Sequence, residues 1–65
     1  MKPIRPGTVV TFEYPIRDLY RTIRGVVLEP SEYTLPNEVR VEWYDGYGTT
    51  NIARERIIAE EPPDA

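Results

Sequence analysis

The sequence predicts an all-β protein: a small, five-stranded antiparallel barrel with one short helical turn before the last strand. Val, Ile and Thr, which favour strands, number 18 of the 65 residues, whereas only three Ala are present. Seven Pro and four Gly divide the chain into short segments. Closure into a barrel suits so few residues because it removes most exposed strand edges.

The first strand is predicted over residues 8–14. Its alternating apolar side chains share one face: Val10, Phe12 and Tyr14. Pro15 cannot donate a hydrogen bond to a strand ladder, and it is therefore expected to end this strand. Residues 15–22 are then predicted to form a loop rich in Arg and Tyr.

The second strand, residues 23–29, does not alternate cleanly, because Val26, Val27 and Leu28 are consecutive apolar residues. A strand that bends can bury both of its faces, and Gly25 would permit the bend. Val27 is assigned to the core, with Val26 and Leu28 as the alternative set.

Residues 38–44 form the clearest strand, because Val39, Val41 and Trp43 alternate with polar residues. The remaining elements follow in order: a hairpin turn at Asp45-Gly46, a strand at 48–52, a helical turn at 53–56 and a last strand at 57–59. One shared core is expected from eight residues: Val10, Phe12, Val27, Val39, Val41, Trp43, Ile52 and Ile57.

A chain of 65 residues forms one domain at most. We expect a flexible N-terminal arm at residues 1–6, the barrel at 7–60 and a disordered acidic tail at 61–65. No apolar run approaches the length of a membrane span, and no signal-peptide core follows Met1 and Lys2. These features, with the absence of Cys, predict a cytoplasmic protein that does not contact a membrane.

Cys and His are both absent, which removes thiolate and imidazole ligands, Cys nucleophiles and every His-based triad. The Gly residues are scattered and form no phosphate-binding loop. The interior of so small a barrel is filled by side chains and has no room for a substrate. We therefore expect no catalytic residue, no metal, no cofactor and no enzymatic activity.

The net charge is −3, which argues against general binding of nucleic acid. The charge is unevenly distributed. Residues 1–24 contain five basic and two acidic residues, net +3, whereas residues 25–65 contain three basic and nine acidic residues, net −6. The basic segment contains a candidate anion-binding cluster: Arg17, Arg21 and Arg24.

The stretch 39–58 resembles the Tudor branch of the Src-homology-3-like barrels, through the run Tyr44-Asp45-Gly46-Tyr47-Gly48. The resemblance covers about residues 7–59 and implies a Tudor-like barrel. Members of that family bind methylated Arg or Lys in an aromatic cage, which by position would consist here of Tyr14, Tyr44 and Tyr47.

A second resemblance concerns the run Thr50 to Ile57, chiefly through Asn51 and Ala53. This run is similar to the end of the small stromal subunit of photosystem I. That resemblance implies a barrel whose basic loop docks an acidic protein of the ferredoxin type.

The function predicted from these features is non-enzymatic recognition of a protein or peptide. Its binding surface is an aromatic and Arg-bearing rim: Tyr14, Tyr20, Tyr44, Tyr47, Arg17, Arg21 and Arg24. The alternative is binding of nucleic acid through residues 17–24, where Tyr20 between Arg17 and Arg21 offers a base a stacking surface. The protein is expected to be a monomer or a weak homo-oligomer.

Overall fold

The computed structural model describes residues 3–63 and contains five antiparallel strands with one short 3₁₀ turn. The elements are, in chain order, β1 (Val9–Ile16), β2 (Leu19–Leu28), β3 (Glu38–Trp43), β4 (Thr49–Ala53), the 3₁₀ turn Arg54–Arg56, and β5 (Ile57–Glu61). The all-β class, the number of strands and the helical turn before the last strand are as predicted. In no part of the described chain is there a helix long and apolar enough to cross a membrane.

The strands form one sheet in the order β4-β3-β2-β1-β5. Consecutive strands from β1 to β4 are neighbours, and β5 returns to pair with the free side of β1. The sheet is open, with β4 and β5 at its edges, and over residues 3–63 it does not close into the predicted barrel.

The core lies on one face of the sheet and consists of eight buried side chains: Val10, Phe12, Ile23, Val27, Val39, Val41, Trp43 and Ile52. Seven of these eight were predicted. Ile23 was not, and Ile57 is only partly buried against the cluster. Val27 is the buried member of its apolar run, whereas Val26 and Leu28 are half-buried.

Residues 15–22 were predicted as a loop, and this prediction is wrong. β1 continues through Pro15 to Ile16, and β2 begins at Leu19, so a two-residue turn joins them. Pro15 pairs with Tyr20, and Ile16 pairs with Leu19 at the tip. We call this hairpin, residues 13–22, the ribbon.

Residues near both ends of the described chain contact the sheet. Ile4, in the expected arm, packs against the core cluster, and the amide of Gly7, the first residue of the predicted barrel, donates to the carbonyl oxygen of Val27 at 2.8 Å. At the other end β5 includes Glu61, which was assigned to the tail and pairs with Val9. The last two residues of that tail lie outside the described chain.

Gly25 is buried where β3 pairs with β2, and it lies opposite Trp43. A Cβ atom at this position would lie 2.5 Å from Val41 Cγ1 and 2.6 Å from the Glu42 carbonyl oxygen. Real side chains do not approach this closely. The two strands can therefore meet here only because residue 25 has no side chain.

Candidate functional site

Four aromatic side chains form a continuous cluster that leads from the core to the surface. The Trp43 ring lies at its centre, with ring centroids 5.7 Å from Phe12, 5.0 Å from Tyr14 and 5.4 Å from Tyr47. These separations and tilts are typical of favourable edge-to-face packing. Phe12 is fully buried and Tyr47 is 77% exposed, so Trp43 supports an exposed ring on a rigid base.

Local sequence explains how Tyr47 reaches this position. Two glycines with positive φ flank it, Gly46 at +85° and Gly48 at +107°, and they form the tight turn between β3 and β4. The Tyr47 amide donates to Asp45 Oδ1 at 3.2 Å, and the Trp43 amide donates to the Gly48 carbonyl oxygen at 2.9 Å. The turn therefore holds Tyr47 against Trp43.

A small groove lies between the ribbon and this turn. It has a volume of about 320 Å³ and is lined by six residues: Tyr14, Pro15, Ile16, Trp43, Tyr47 and Thr50. We call it the aromatic groove. Its walls combine aromatic, aliphatic and Pro side chains with a few polar groups, the hydroxyls of two Tyr and one Thr and the indole N–H, which is the usual composition of a small-ligand or side-chain pocket.

A second groove lies beside it and follows the tip of the ribbon. It has a volume of about 610 Å³ and is lined by seven residues: Ile16, Arg17, Asp18, Leu19, Tyr20, Arg21 and Tyr47. We call it the edge groove. Ile16 and Tyr47 belong to both grooves, so the two are adjacent parts of one surface.

The edge groove exposes large apolar groups next to positive charge. Leu19 is 71% exposed and Tyr20 is 64% exposed. Arg17 and Arg21 are also exposed, and within residues 3–63 neither forms an ion pair. Asp18 is the acidic residue of the lining, so two cations and one carboxylate surround the apolar groups.

Tyr20 lies on the opposite face of the ribbon from Leu19 and Arg21, because side chains alternate along β2. The Arg56 guanidinium carbon is 5.5 Å from the centre of the Tyr20 ring. This separation is within the range of a cation–π contact. Arg56, in the 3₁₀ turn, therefore contacts the Tyr20 ring.

The structure brings together five of the seven predicted site residues: Tyr14, Tyr20, Tyr47, Arg17 and Arg21. Arg24 lies elsewhere, on the outer face of the sheet, where its Nη2 is 3.1 Å from Glu61 Oε1. Tyr44 is exposed and lines neither groove. Of the three tyrosines assigned by resemblance to a cage, Tyr14 and Tyr47 both contact Trp43.

Sequence reasoning missed six residues of this surface: Pro15, Ile16, Asp18, Leu19, Trp43 and Thr50. Trp43 was correctly predicted to be in the core, and its ring also forms the floor of the aromatic groove. A signal for Ile16 was present, because it continues the alternation of Phe12 and Tyr14 beyond Pro15. Within residues 3–63, no group of acidic residues is arranged to hold a metal ion.

Comparison of the chain with protein-family models, with curated proteins and with solved structures finds no match.

Proposed function

We propose that this protein is a non-enzymatic binding module that recognises a protein or peptide through the aromatic groove and the edge groove. The observation that carries the proposal is the exposure of Tyr47, 77%, on a support of buried rings at the junction of both grooves. Exposed apolar groups gathered in one place mark interaction sites more often than singly scattered ones do. Tyr anchors on rigid supports are frequent hot spots of such interfaces.

We also propose that the domain is Tudor-like. The strand order, with β5 returning to β1, and the 3₁₀ turn immediately before β5 support this proposal. A methylated cation is a less suitable ligand than the family resemblance implies. Tyr44 lines neither groove, and Arg17 and Arg21 beside Tyr47 would repel a positive charge.

The charges favour an acidic partner. Arg presents a planar fork that binds carboxylates with two parallel hydrogen bonds, and both Arg17 and Arg21 are exposed in the edge groove. A peptide with an apolar side chain for the aromatic groove and a carboxylate for the edge groove matches both surfaces. Nucleic acid matches them less well, because Arg24 is paired with Glu61 and the net charge is −3.

The test is selection of twelve-residue peptides from a random display library against the purified protein. Each selected peptide is then measured by fluorescence anisotropy against Tyr47→Ala and Tyr33→Ala variants. Tyr33 is the matched control, because it is 76% exposed and lies in neither groove. We expect Tyr47→Ala to weaken binding about tenfold and Tyr33→Ala to leave it unchanged.

A single-stranded oligonucleotide, measured over a range of salt concentrations, distinguishes the alternative. Tight binding of the oligonucleotide with a steep loss at high salt, and no enrichment of peptides, would favour nucleic acid recognition over the proposal. Equal peptide affinities for the two Tyr variants would exclude the proposed surface.

A further inference from the structure

The ribbon extends beyond its neighbouring strands. β1 and β2 pair along their full lengths, down to Ile16 and Leu19. β3, however, pairs with β2 only over Gly25–Leu28, and β5 pairs with β1 only over Val9–Phe12, as far as the described chain shows. Both long sides of the ribbon therefore lack a partner strand within residues 3–63.

The backbone of β2 has polar groups directed toward the open side. The Tyr44 amide donates to the Arg24 carbonyl oxygen at 3.1 Å, which shows that the backbone groups of Arg24 point toward β3. Backbone direction alternates along a strand, so the N–H and C=O groups of Thr22 and Tyr20 point to the same side. β3 ends at Trp43 and does not reach them.

The two sides of the ribbon are not equivalent. By the same alternation, the side formed by β1 directs the backbone of Pro15 outward, and Pro has no N–H to donate. Pro on an exposed strand edge is a common device against pairing with another chain. The β2 side has no such block, since Tyr20 and Thr22 are both donors and acceptors.

The open β2 side is also where the edge groove lies. Leu19, Tyr20 and Arg21 line it from the strand, and Tyr47 lines it from the opposite turn. An extended peptide in this groove would lie alongside the strand, with Tyr47 over it. Strand addition of this kind obtains affinity from backbone hydrogen bonds and specificity from alternate side chains.

Charge disfavours a second copy of this chain in the central register and favours an acidic partner. In the register in which Tyr20 of one copy exchanges hydrogen bonds with Thr22 of a second copy, Arg21 would stand directly opposite Arg21. Like charges at directly opposed positions are destabilising. The two Arg21 residues would form a non-hydrogen-bonded pair, in which opposed side chains lie closest. A partner strand with a carboxylate opposite Arg21 has the complementary charge, as does one with a carboxylate near Arg17.

We propose that the open edge at Tyr20 and Thr22 takes an extended acidic segment of a partner protein as an additional β-strand. This inference rests on the proposed function and specifies how the partner is held. The main-chain hydrogen bonds join the partner to β2, and Arg21 pairs with an acidic side chain on the facing strand.

The probe is a nine-residue peptide in which Glu alternates with Val, with blocked ends. Its comparison peptides have Lys in place of Glu, or N-methyl groups on every second residue in either of the two frames. Affinities for the unmodified protein are measured by calorimetry. We expect the Lys peptide to bind at least tenfold more weakly. N-methylation should reduce affinity at least tenfold in one frame and much less in the other, because only one frame faces the edge.

A pair of protein variants adds an independent measurement. Thr22→Pro removes the outward N–H, whereas Thr22→Val keeps it. Only Thr22→Pro should fail to bind the Glu peptide. In the unmodified protein, bound peptide should slow hydrogen exchange at the Tyr20 and Thr22 amides. The N-methylated peptides keep the test valid even if Thr22→Pro fails to fold.

Several results would overturn this inference: no binding of the Glu peptide at millimolar concentration, equal binding of the Glu and Lys peptides, or equal effects of the two N-methyl frames. Concentration-dependent dimerisation that Thr22→Pro abolishes would assign the edge to a second copy and would likewise overturn it. The proposed function would survive these results if library peptides still depended on Tyr47. It would fail separately if they did not.

Discussion

The indole Nε1 of Trp43 donates a hydrogen bond to Thr50 Oγ1 across the β3–β4 pair, at a distance of 2.8 Å. Trp43 is 5% exposed, so its single polar atom has little access to water. The bond also fixes the ring that supports Tyr14 and Tyr47. Thr50 therefore contributes both to stability and to the shape of the aromatic groove.

Replacing this hydroxyl group should destabilise the protein. We expect Thr50→Val to lower the free energy of unfolding by about 1–2 kcal/mol, because the indole N–H loses its acceptor. Thr50→Ser keeps the acceptor and should retain most of the stability. Urea denaturation followed by Trp fluorescence measures both variants. Equal midpoints for Val and Ser would show that the bond contributes nothing.

Gly25 should not tolerate a side chain. Gly25→Ala places a Cβ against Val41 and the Glu42 carbonyl oxygen, and such overpacking costs about 1–3 kcal/mol. Gly46→Ala is the matched control, because its surroundings are empty and only its positive φ opposes Ala. Thermal unfolding should therefore show a larger loss for Gly25→Ala, and the reverse order would contradict the close approach of β2 and β3 at this residue.

Arg17 adopts a φ of +56° at the tip of the ribbon, in the left-handed region that Gly prefers. That conformation costs a residue with a Cβ about 1–2 kcal/mol, a cost that Gly does not have. Gly also raises the conformational entropy of the unfolded chain, which offsets part of this gain in stability. Arg17→Gly should then raise stability by up to about 1 kcal/mol. Arg21→Gly, within β2, should lower the stability. Chemical denaturation of both variants measures the two changes. A destabilised Arg17→Gly would rule out strain at this turn.

Hydrogen exchange should alternate along the ribbon. The Arg21 and Ile23 amides face β1, whereas the Tyr20 and Thr22 amides face the open side. We expect exchange, measured by NMR on the free protein, to be at least tenfold faster at Thr22 than at Ile23, with the same order for Tyr20 and Arg21. Uniform protection over residues 20–23 would mean that the edge is already covered.

The core could be predicted from sequence because alternation is strong where one face of a strand is buried, as at Val39, Val41 and Trp43. The ribbon could not, because Pro15 was taken to end β1. Pro15 is in fact tolerated at the unpaired side of that strand, where no partner requires its N–H. The turn at Arg17 also lacks Gly or Asn, which usually indicate a two-residue hairpin.

The residue types of the candidate site could be predicted from the sequence more readily than which of those residues lie together. Exposed Tyr and Arg are visible in the sequence, but which of them meet depends on strand register. The pairing of Tyr14 with Arg21, and of Thr11 with Arg24, separates two arginines that stand only three residues apart. Side chains an odd number of positions apart on a strand point to opposite faces, so Arg21 and Arg24 lie on opposite faces of β2.

The pairing of β5 with β1 connects the two ends of the described chain, whereas each of the other strand pairs joins neighbours in sequence. Non-local pairings form late in folding and are costly to restore once lost. If β5 detaches while the other four strands remain together, the outward edge of Val9–Phe12 becomes accessible along an uncharged, β-prone run, Val-Val-Thr-Phe. Such a run on an open edge promotes intermolecular strand pairing. We therefore expect the residence time of β5 on β1 to set the rate at which this protein aggregates in concentrated solution.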